Sequence, residues 1–261
     1  MASSFDNAAM AYDATFTNSS IGKLQRRQVY AHLLEVLKRN DDITSVLEIN
    51  CGTGEDALWL AGQGLKVTAT DISEKMIAVA KSKASAGNLV FEQADINRLR
   101  KHFPTQKFDM IFSNFGGLNC LTKRELETFF KNAGCLLSEK GLLALVIMPE
   151  DTLWEQFYFL AKADFKNIFR RKKEMVLADV DGEKVPTYYY NPQETVTLAS
   201  GFFNFKNLWP IGFFVPPSYL ETFFKNKTKA LTFLGKLENA VKNRQFLAKN
   251  ADHYFIIFEK K

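Results

Sequence analysis

The sequence predicts an α/β protein with a mostly parallel β-sheet of about seven strands and helices on both faces. From residue 43 to residue 149, short β-prone runs alternate with segments of helical periodicity, the order expected of parallel strands joined by crossover helices. Two further β-prone runs, within 202–217 and at 253–260, come much later in the chain and are expected to complete the same sheet. Strands that alternate with helices also imply a sheet covered on both faces.

The elements of the first part follow in a regular order. Residues 23–39 place their leucines and Val29 largely on one stripe, which predicts an amphipathic helix. Ser73 is a suitable N-cap for one helix, and glycines stop the helices before and after it. The predicted strands are 43–49, 65–71, 88–95, 107–114 and 142–149, and the predicted helices between them are 55–64, 73–84 and 124–141.

After residue 150 the pattern changes, and most of the second part is expected to form a cap. The predicted elements are a long helix at 152–173, a hairpin with an Asp-Gly turn at 174–190, a short helix from Pro192, a long strand at 202–217, helical residues at 218–247 and a final strand at 253–260. The predicted domains are an N-terminal arm and helix (1–40), a core (41–150), a cap with one strand returning to the core sheet (151–250) and a final strand (251–261).

Composition excludes several classes of protein. With 46 % hydrophobic and 24 % charged residues among 261, the chain is neither collagen-like, nor a coiled coil, nor wholly disordered. No apolar run approaches the length of a membrane span, and the first residues lack the features of a signal peptide. Cys51, Cys120 and Cys135 are far apart, so we expect reduced thiols in a cytoplasmic protein and no metal site.

Charge and aromatic residues are concentrated in the second part. Residues 1–150 hold 17 basic and 17 acidic side chains, whereas residues 151–261 hold 17 and 12, together with 23 of the 35 aromatic residues. Most of these aromatics are expected in the core, and the rest predict a basic, aromatic surface or pocket. The basic residues 170–173 are most simply a solvated helix end. The alternative is a contact with an anionic substrate or with membrane lipid.

The most informative stretch follows the first strand. Gly52-Thr53-Gly54-Glu55-Asp56-Ala57 fits the G-x-G-x-x-G/A pattern, in which glycines let the backbone approach a ligand at a helix N-terminus. The pattern alone is weak, and a tight turn without a ligand is the alternative. Three acids strengthen it, because Glu48, Asp71 and Asp95 end the first three strands, where ligands of open α/β sheets bind. Three carboxylates suit a cationic, adenosine-containing molecule such as S-adenosylmethionine better than a pyrophosphate.

Residues 44–149 strongly resemble the class I S-adenosylmethionine-dependent methyltransferases, in particular the bacterial small-molecule type. The resemblance rests on VLEINCGTGED, TATDIS, EQADI and FDMIFSNFGGL, in the order and spacing of the family. It implies a Rossmann-like fold with an antiparallel final strand and a C-terminal cap insertion. It also implies S-adenosylmethionine as the methyl donor and S-adenosylhomocysteine as the product.

The resemblance assigns roles to individual residues. Glu48, Asn50 and Gly52 would border the methionine portion, with Gly54 in the turn. Asp71 would hold the ribose. The remaining candidates are Ile72 and Met76 along the adenine, Asp95 and Ile96 at the adenine amine, Ser113, Asn114 and Phe115 beside the methionine and the methyl group, and Tyr12 and Arg26 closing over the cofactor. The family commonly has glycine at the position of Asn50, and asparagine tolerates the positive φ that this implies. The alternatives for Arg26 and Tyr12 are a solvated helix residue and simple packing of the arm.

The acceptor is expected to be a small hydrophobic or aromatic molecule, methylated on oxygen, nitrogen or carbon. Candidate cavity residues are Phe157, Tyr188, Tyr190, Phe213 and Phe214, with Tyr188 and Tyr190 on one face of a strand. No residue identifies itself as a catalytic base. His253 could be a base, although a structural role is the simpler interpretation.

Other functions remain open. Strand four ends in SNFGG and lacks the Asn- or Asp-Pro-Pro-aromatic element of amino-directed nucleic-acid enzymes, so no nucleic-acid partner is expected. The alternatives are a methyltransferase of nucleic acid or protein, a nicotinamide-dependent oxidoreductase, and a non-catalytic binding protein. The oxidoreductase would not explain Glu48 or the Asp95-Ile96 pair.

Overall fold

The computed structural model describes residues 12–84, 87–180 and 182–261, together with Asp6 and Ala9. The strands are β1 (Ser45–Ile49), β2 (Lys66–Asp71), β3 (Leu89–Gln93), β4 (Phe108–Ser113), β5 (Leu137–Ile147), β6 (Val176–Val180), β7 (Glu183–Thr187), β8 (Phe203–Ile211) and β9 (His253–Lys260). The helices are α1 (Ser20–Arg39), α2 (Glu55–Gly62), α3 (Glu74–Lys83), α4 (Leu99–His102), α5 (Lys123–Leu136), α6 (Leu153–Ala161), α7 (Pro192–Ala199), α8 (Glu221–Phe224) and α9 (Thr228–Val241).

Seven strands form one sheet in the order β3-β2-β1-β4-β5-β9-β8. The first five are parallel, whereas β9 runs antiparallel between β5 and β8. The predicted mostly parallel α/β sheet with an antiparallel final strand is confirmed. Because the order reverses between β1 and β4, the carboxyl ends of these two strands flank the crevice where such sheets bind ligands.

Successive residues of the strands enter apolar layers on opposite faces of the sheet. On β1, Val46 belongs to one layer and Leu47 to the other. The first layer packs against α1 and α2, and the second against α5 and α7. Alternation of buried side chains on both faces is the burial expected for central strands covered by helices.

Most of the second part is inserted between β5 and β9. It contains α6, the separate β6–β7 hairpin, α7, strand β8, and α8 with α9. The hairpin, the short helix and the return of β8 to the main sheet agree with the sequence prediction.

Two predicted helices are too long. The helix expected at 152–173 ends at Ala161, where Ala163 follows with a φ of 53°. The helix expected at 124–141 ends at Leu136, because Leu137 already pairs with Phe108 of β4. In both cases a contact made elsewhere in the fold outweighs the local helical pattern.

The first helix is tied to the insertion at its N-terminus. The Ser19 hydroxyl accepts a hydrogen bond from the backbone N–H of Gly22, as an N-cap does. The backbone N–H groups of Ser20 and Ile21 donate to the carboxylate of Glu221, which begins α8. Within the described ranges, no helix combines the length and apolarity needed to cross a membrane.

Candidate functional site

The turn after β1 requires glycine. Gly52 and Gly54 have φ values of 53° and 81°, a left-handed conformation that other residues rarely adopt. A Cβ atom on Gly54 would lie 2.6 Å from the ring of Phe91. The turn therefore leads from β1 into α2 with bare backbone at the N-terminus of the helix.

Asn50 adopts the conformation predicted for it. Its φ is 56°, so asparagine takes the left-handed position where the family commonly has glycine. Its side chain lies against Gly117, where an added Cβ atom would stand 2.5 Å from Asn50 Nδ2. That nitrogen is buried and makes no hydrogen bond to any described residue.

Asp71 is oriented by two backbone N–H groups at the end of β2. Gly52 and Ser73 each donate to one of its carboxylate oxygens, both at 2.9 Å. Burial raises the pKa of Asp71 although these donors lower it. The carboxylate is thus fixed beside the glycine turn, the position at which such folds bind ribose.

Glu48 is a buried carboxylate on β1. It is 1 % exposed, and its Oε2 has no hydrogen-bond partner among the described residues. Burial raises the pKa of Glu48 well above its ordinary value, and Asp56 raises it further while Arg26 lowers it. A buried acid without a full set of partners is costly to the fold and is typical of a ligand site.

Arg26 lies in the site and not in solvent. Its Nε donates to Asp56 at 2.9 Å, and Tyr30 donates to the same carboxylate oxygen. The guanidinium lies 5.7 Å from the ring centre of Phe16 and 5.4 Å from that of Phe115. Because Arg26 is 8 % exposed, the alternative of a solvated helix residue is wrong.

The end of β4 contributes further polar atoms. Ser113 is fully buried and Asn114 is 6 % exposed. The next residue, Phe115, has a φ of 39°, an unusual conformation for a bulky side chain and one that clusters at functional sites. Its ring contacts Phe16 at 5.5 Å between centroids.

Five buried polar atoms of this region lack a partner within the described part of the chain: Arg26 Nη1, Glu48 Oε2, Asn50 Nδ2, Ser113 Oγ and Asn114 Nδ2. They belong to α1 and to the carboxyl ends of the adjacent strands β1 and β4. The set combines a cation, an anion and neutral donors, which suits the carboxylate and ammonium of an amino-acid moiety. The residues present therefore fit the methionine portion of S-adenosylmethionine.

Of the predicted adenine residues, Ile72 follows β2, Asp95 and Ile96 follow β3, and Met76 lies on α3. A surface depression of about 410 Å³ is lined by Ile72 and Asp95, among others. The Asp95 carboxylate accepts a hydrogen bond from a backbone N–H two residues further on. Met76 is buried against Ala9 of the arm, whereas Ile96 packs against the second apolar layer.

The described part of the arm contacts the glycine turn. A Cβ atom on Gly52 would lie 3.8 Å from the ring of Tyr12, and burial raises the pKa of this tyrosine to about 12. Asp13 accepts a hydrogen bond from Thr53 and forms an ion pair with Lys83 at 2.8 Å. The predicted arm residues 1–5, 7, 8, 10 and 11 lie outside the described residues.

The predicted aromatic cavity needs correction. Strand β7 ends at Thr187, so Tyr188 and Tyr190 do not lie on one strand face. Tyr190 is 4 % exposed in the second apolar layer, and its hydroxyl donates to the Leu121 carbonyl, which makes it a core residue. Tyr188 is half-buried, and Phe157 is 63 % exposed on α6 rather than inside a cavity.

Phe213 and Phe214 lie in a loop organised by one buried acid. The carboxylate of Glu238 on α9 accepts four backbone N–H groups, from Gly212, Phe213, Phe214 and Val215, at 2.5–3.1 Å. Both phenylalanine rings are half-buried. A carboxylate with four N–H donors holds the loop after β8 in one conformation.

The basic residues 170–173 do not form a solvated helix end or one exposed patch. Arg171 is 5 % exposed and pairs with Glu155 at 2.9 Å and with Asp252 at 3.2 Å. Arg170 pairs with Glu155 as well, and Lys172 with Asp151. Glu155 and Asp252 therefore hold Arg170 and Arg171 against the core, whereas Lys172 and Lys173 are exposed.

Several residues near the site were not predicted. Asp56 stands within the glycine pattern, but nothing in the sequence pairs it with Arg26 thirty residues earlier. Phe16 packs between Tyr12 and Phe115, in a segment without clear periodicity. Asp252 precedes the predicted final strand, and its proximity to Arg171 follows only from the three-dimensional fold. No group of three or more potential metal ligands is found among the described residues.

Comparison with known proteins agrees with this geometry. The model of the methyltransferase domain family matches residues 46–141. The chain is 32 % identical over 158 residues to malonyl-[acyl-carrier protein] O-methyltransferase of Bacillus cereus, and this alignment covers 58 % of this chain and 53 % of that protein. It is 31 % identical over 122 residues to demethylmenaquinone methyltransferase of Clavibacter sepedonicus, in an alignment that covers 46 % of this chain and 48 % of that protein. The chain thus spans about half the length of these curated relatives.

A solved structure shares the whole fold. A S-adenosylmethionine-dependent methyltransferase from Clostridium acetobutylicum superposes with a TM-score of 0.60 at 14 % identity, over 98 % of both chains. At this identity the likeness concerns the fold alone. The family match, the strand order and the acids at the strand ends agree with one another. Residues 46–141 are a methyltransferase domain, and the chain as a whole has the Rossmann-like fold of the S-adenosylmethionine-dependent methyltransferases.

Proposed function

We propose that the protein transfers the methyl group of S-adenosylmethionine to a small apolar or aromatic acceptor. The observation that carries this proposal is the set of unpaired buried polar atoms at the carboxyl ends of β1 and β4. When bound, the cofactor supplies an electrophilic methyl group on a sulfonium. The protein has to hold the amino-acid end, exclude water and align the acceptor.

The roles at the cofactor follow from charge and position. Glu48 faces the ammonium and Arg26 the carboxylate, so that Glu48 Oε2 and Arg26 Nη1 each gain the hydrogen bond that they lack in the free protein. Asp71 accepts the ribose hydroxyls. Ile72, Met76, Asp95 and Ile96 surround the adenine, Asn50, Gly52 and Gly54 form the cradle, Ser113, Asn114 and Phe115 border the methyl group, and Tyr12 closes the site.

A small acceptor is supported by the relatives and by the insertion. The named relatives are methyltransferases of malonyl-[acyl-carrier protein] and of demethylmenaquinone. Residues 151–250 form the cap in this proposal, with Tyr188, Phe213 and Phe214 as acceptor contacts. The half-buried rings of Phe213 and Phe214, held by Glu238, offer apolar surface beside the start of β9.

Three measurements test the proposal. Calorimetric titration should give binding of S-adenosylmethionine and S-adenosylhomocysteine, and no binding of a nicotinamide dinucleotide. Turnover of methyl-labelled cofactor with a metabolite extract should place the label in small molecules, whereas label recovered only in protein or RNA would overturn the small-acceptor proposal. Phe213→Ala should raise the KM of the acceptor far more than that of the cofactor, with the exposed Phe246→Ala as the matched control.

A further inference from the structure

His253 stands at the edge of the sheet where the parallel strands end. It opens β9 and pairs with Ile211, and its neighbour Tyr254 pairs with Ile147, the last residue of β5. Its ring meets that of Phe115 edge-on, with centroids 5.3 Å apart. The imidazole is therefore next to the residue that follows β4, where the proposed function puts the methyl group.

A buried acid, itself fixed by two donors, lies beside this histidine. Asp252 Oδ2 lies 3.2 Å from His253 Nδ1. The same carboxylate accepts hydrogen bonds from Gln25 at 3.1 Å and from Arg171 at 3.2 Å, and it is 3 % exposed. Burial alone would raise the pKa of Asp252, but His253, Arg171 and Gln25 bring it well below its ordinary value. With a carboxylate beside Nδ1, Nε2 is the ring nitrogen left to accept a proton.

The free side of the ring faces away from this acid. Nδ1 is buried and makes no hydrogen bond to a described residue, so its contact with Asp252 is a close charge contact, whereas 9 % of the side chain is exposed. The charged groups near the ring are Asp252, Arg171, which pairs with Asp252, and Arg26, which lies 5.4 Å from the ring centre of Phe115. None of the acids placed at the cofactor pairs with this ring in the described part of the chain.

The other two histidines lie elsewhere. His32 is fully buried and stacks on Trp209 at 4.6 Å, and burial lowers its pKa to about 4, so it remains a neutral core residue. His102 lies at the end of α4 and pairs with Glu92 near the depression beside β3. Only His253 combines an accessible ring, an ionised partner and a position at the end of β4.

We propose that His253 is the general base of the methyl transfer and that Asp252 is its positioning residue. The proposal rests on the proposed function and narrows it, because an acceptor that needs a base carries a hydroxyl or another nucleophile that must lose a proton. The hydroxyl proton passes to Nε2 while the acceptor oxygen forms a bond to the methyl carbon. The carbon–sulfur bond breaks, its electron pair stays on sulfur, and the imidazolium later releases the proton to water. A carboxylate acceptor would need no such step.

The test compares two panels of acceptors, phenols with hydroquinones and carboxylic acids of matched size. In the wild type we expect methylation of the hydroxyl panel, with a rate that falls on the acid side of the pH profile. His253→Ala should lower kcat about 100-fold or more, remove this fall, and regain activity with added imidazole. Asp252→Asn should lower kcat less, and the exposed Asp179→Asn is its matched control. Calorimetry should give the same cofactor affinity for His253→Ala as for the wild type.

The outcomes separate this proposal from the one on which it rests. Methylation of carboxylic acids alone, or wild-type turnover by His253→Ala, would overturn the role of His253 and leave methyl transfer intact. Loss of activity without rescue by imidazole and with an unchanged pH profile would make His253 a structural residue. Absence of cofactor binding in the wild type would overturn the proposed function itself, and turnover with neither panel would count against both.

Discussion

Replacing Glu48 by Gln should change the stability of the free protein and its affinity for S-adenosylmethionine in opposite directions. Glu48 is buried, and burial raises the pKa of its carboxyl well above that of an unfolded chain, with Asp56 adding to the effect. The folded protein therefore binds this proton more tightly than the unfolded one. The stability that the protonated Glu48 carboxyl contributes is complete at low pH. It is lost as the pH rises above the pKa of this carboxyl in the unfolded chain and approaches its pKa in the folded protein. Glutamine has nearly the same shape and carries no charge, so it removes this loss.

The gain in stability and the loss of cofactor binding free energy are of comparable size. An unpaired buried polar group costs about 1–3 kcal/mol. A gain of about 1 kcal/mol at pH 8 would raise the Tm of a chain of this size by roughly 2–4 °C. Losing the hydrogen bonds of a charged acceptor to the cofactor ammonium costs about 1.5–3 kcal/mol. This corresponds to roughly a 10- to 150-fold weaker binding.

Thermal melts at pH 8 and pH 5.5 and calorimetric titration of the cofactor measure both effects. The gain in Tm should be larger at pH 8, where the wild-type carboxyl is closer to ionisation. Glu127→Gln on the exposed face of α5 makes the same chemical change without burial and should alter neither quantity. A lower Tm together with an unchanged Kd would refute the reasoning, because Glu48 would then have a fixed structural partner and no ligand.

Three further substitutions probe other parts of the structure. Asp71→Ala should weaken cofactor binding by about tenfold to over a hundredfold, and an unchanged Kd in calorimetry would remove the ribose assignment. Gly54→Ala should lower the Tm by roughly 2–8 °C, from about 1–2 kcal/mol of left-handed strain, while Gly62→Ala in open space should not. Arg171→Met removes the buried cation that Glu155 and Asp252 share, leaves Asp252 without an arginine partner, and should cost about 3–5 kcal/mol in urea unfolding at pH 7. This difference should shrink below about pH 4, because Asp252 has a lowered folded pKa and its contribution to stability is lost as the pH falls.

The part of the fold set by local pattern could be predicted from the sequence. The alternation of strands and helices predicts the parallel sheet. The acids at the ends of three consecutive strands predict the sheet edge at which the candidate site lies. Asn50 could be placed because asparagine is one of the few residues that tolerate a left-handed turn. The Ser73 N-cap, which accepts from the Met76 N–H, was likewise recognisable from residue type and spacing.

The parts of the fold that depend on ion pairs between residues far apart in the sequence could not be predicted from it. Arg171 has to reach Glu155 and Asp252, 16 and 81 residues away, and the helix expected to run through it ends ten residues earlier. The aromatic cavity failed for a related reason. Tyr190 alternates with Tyr188 in the sequence, but its hydroxyl is drawn to a carbonyl in the core and the strand has already ended. Alternation predicts a shared face only while the strand continues.

The position of β9 in the sheet has a consequence for biosynthesis. During translation β5 is complete about 105 residues before β9, the strand that pairs with it from Leu142 to Ile147. At about 5–20 residues per second, this interval lasts roughly 5–20 s. For that time the nascent chain presents an apolar strand with unpaired backbone groups, the kind of edge that recruits chaperones or other nascent chains. A chain that stopped after β5 would keep this edge unpaired, because the strand that covers it is the eight-residue β9.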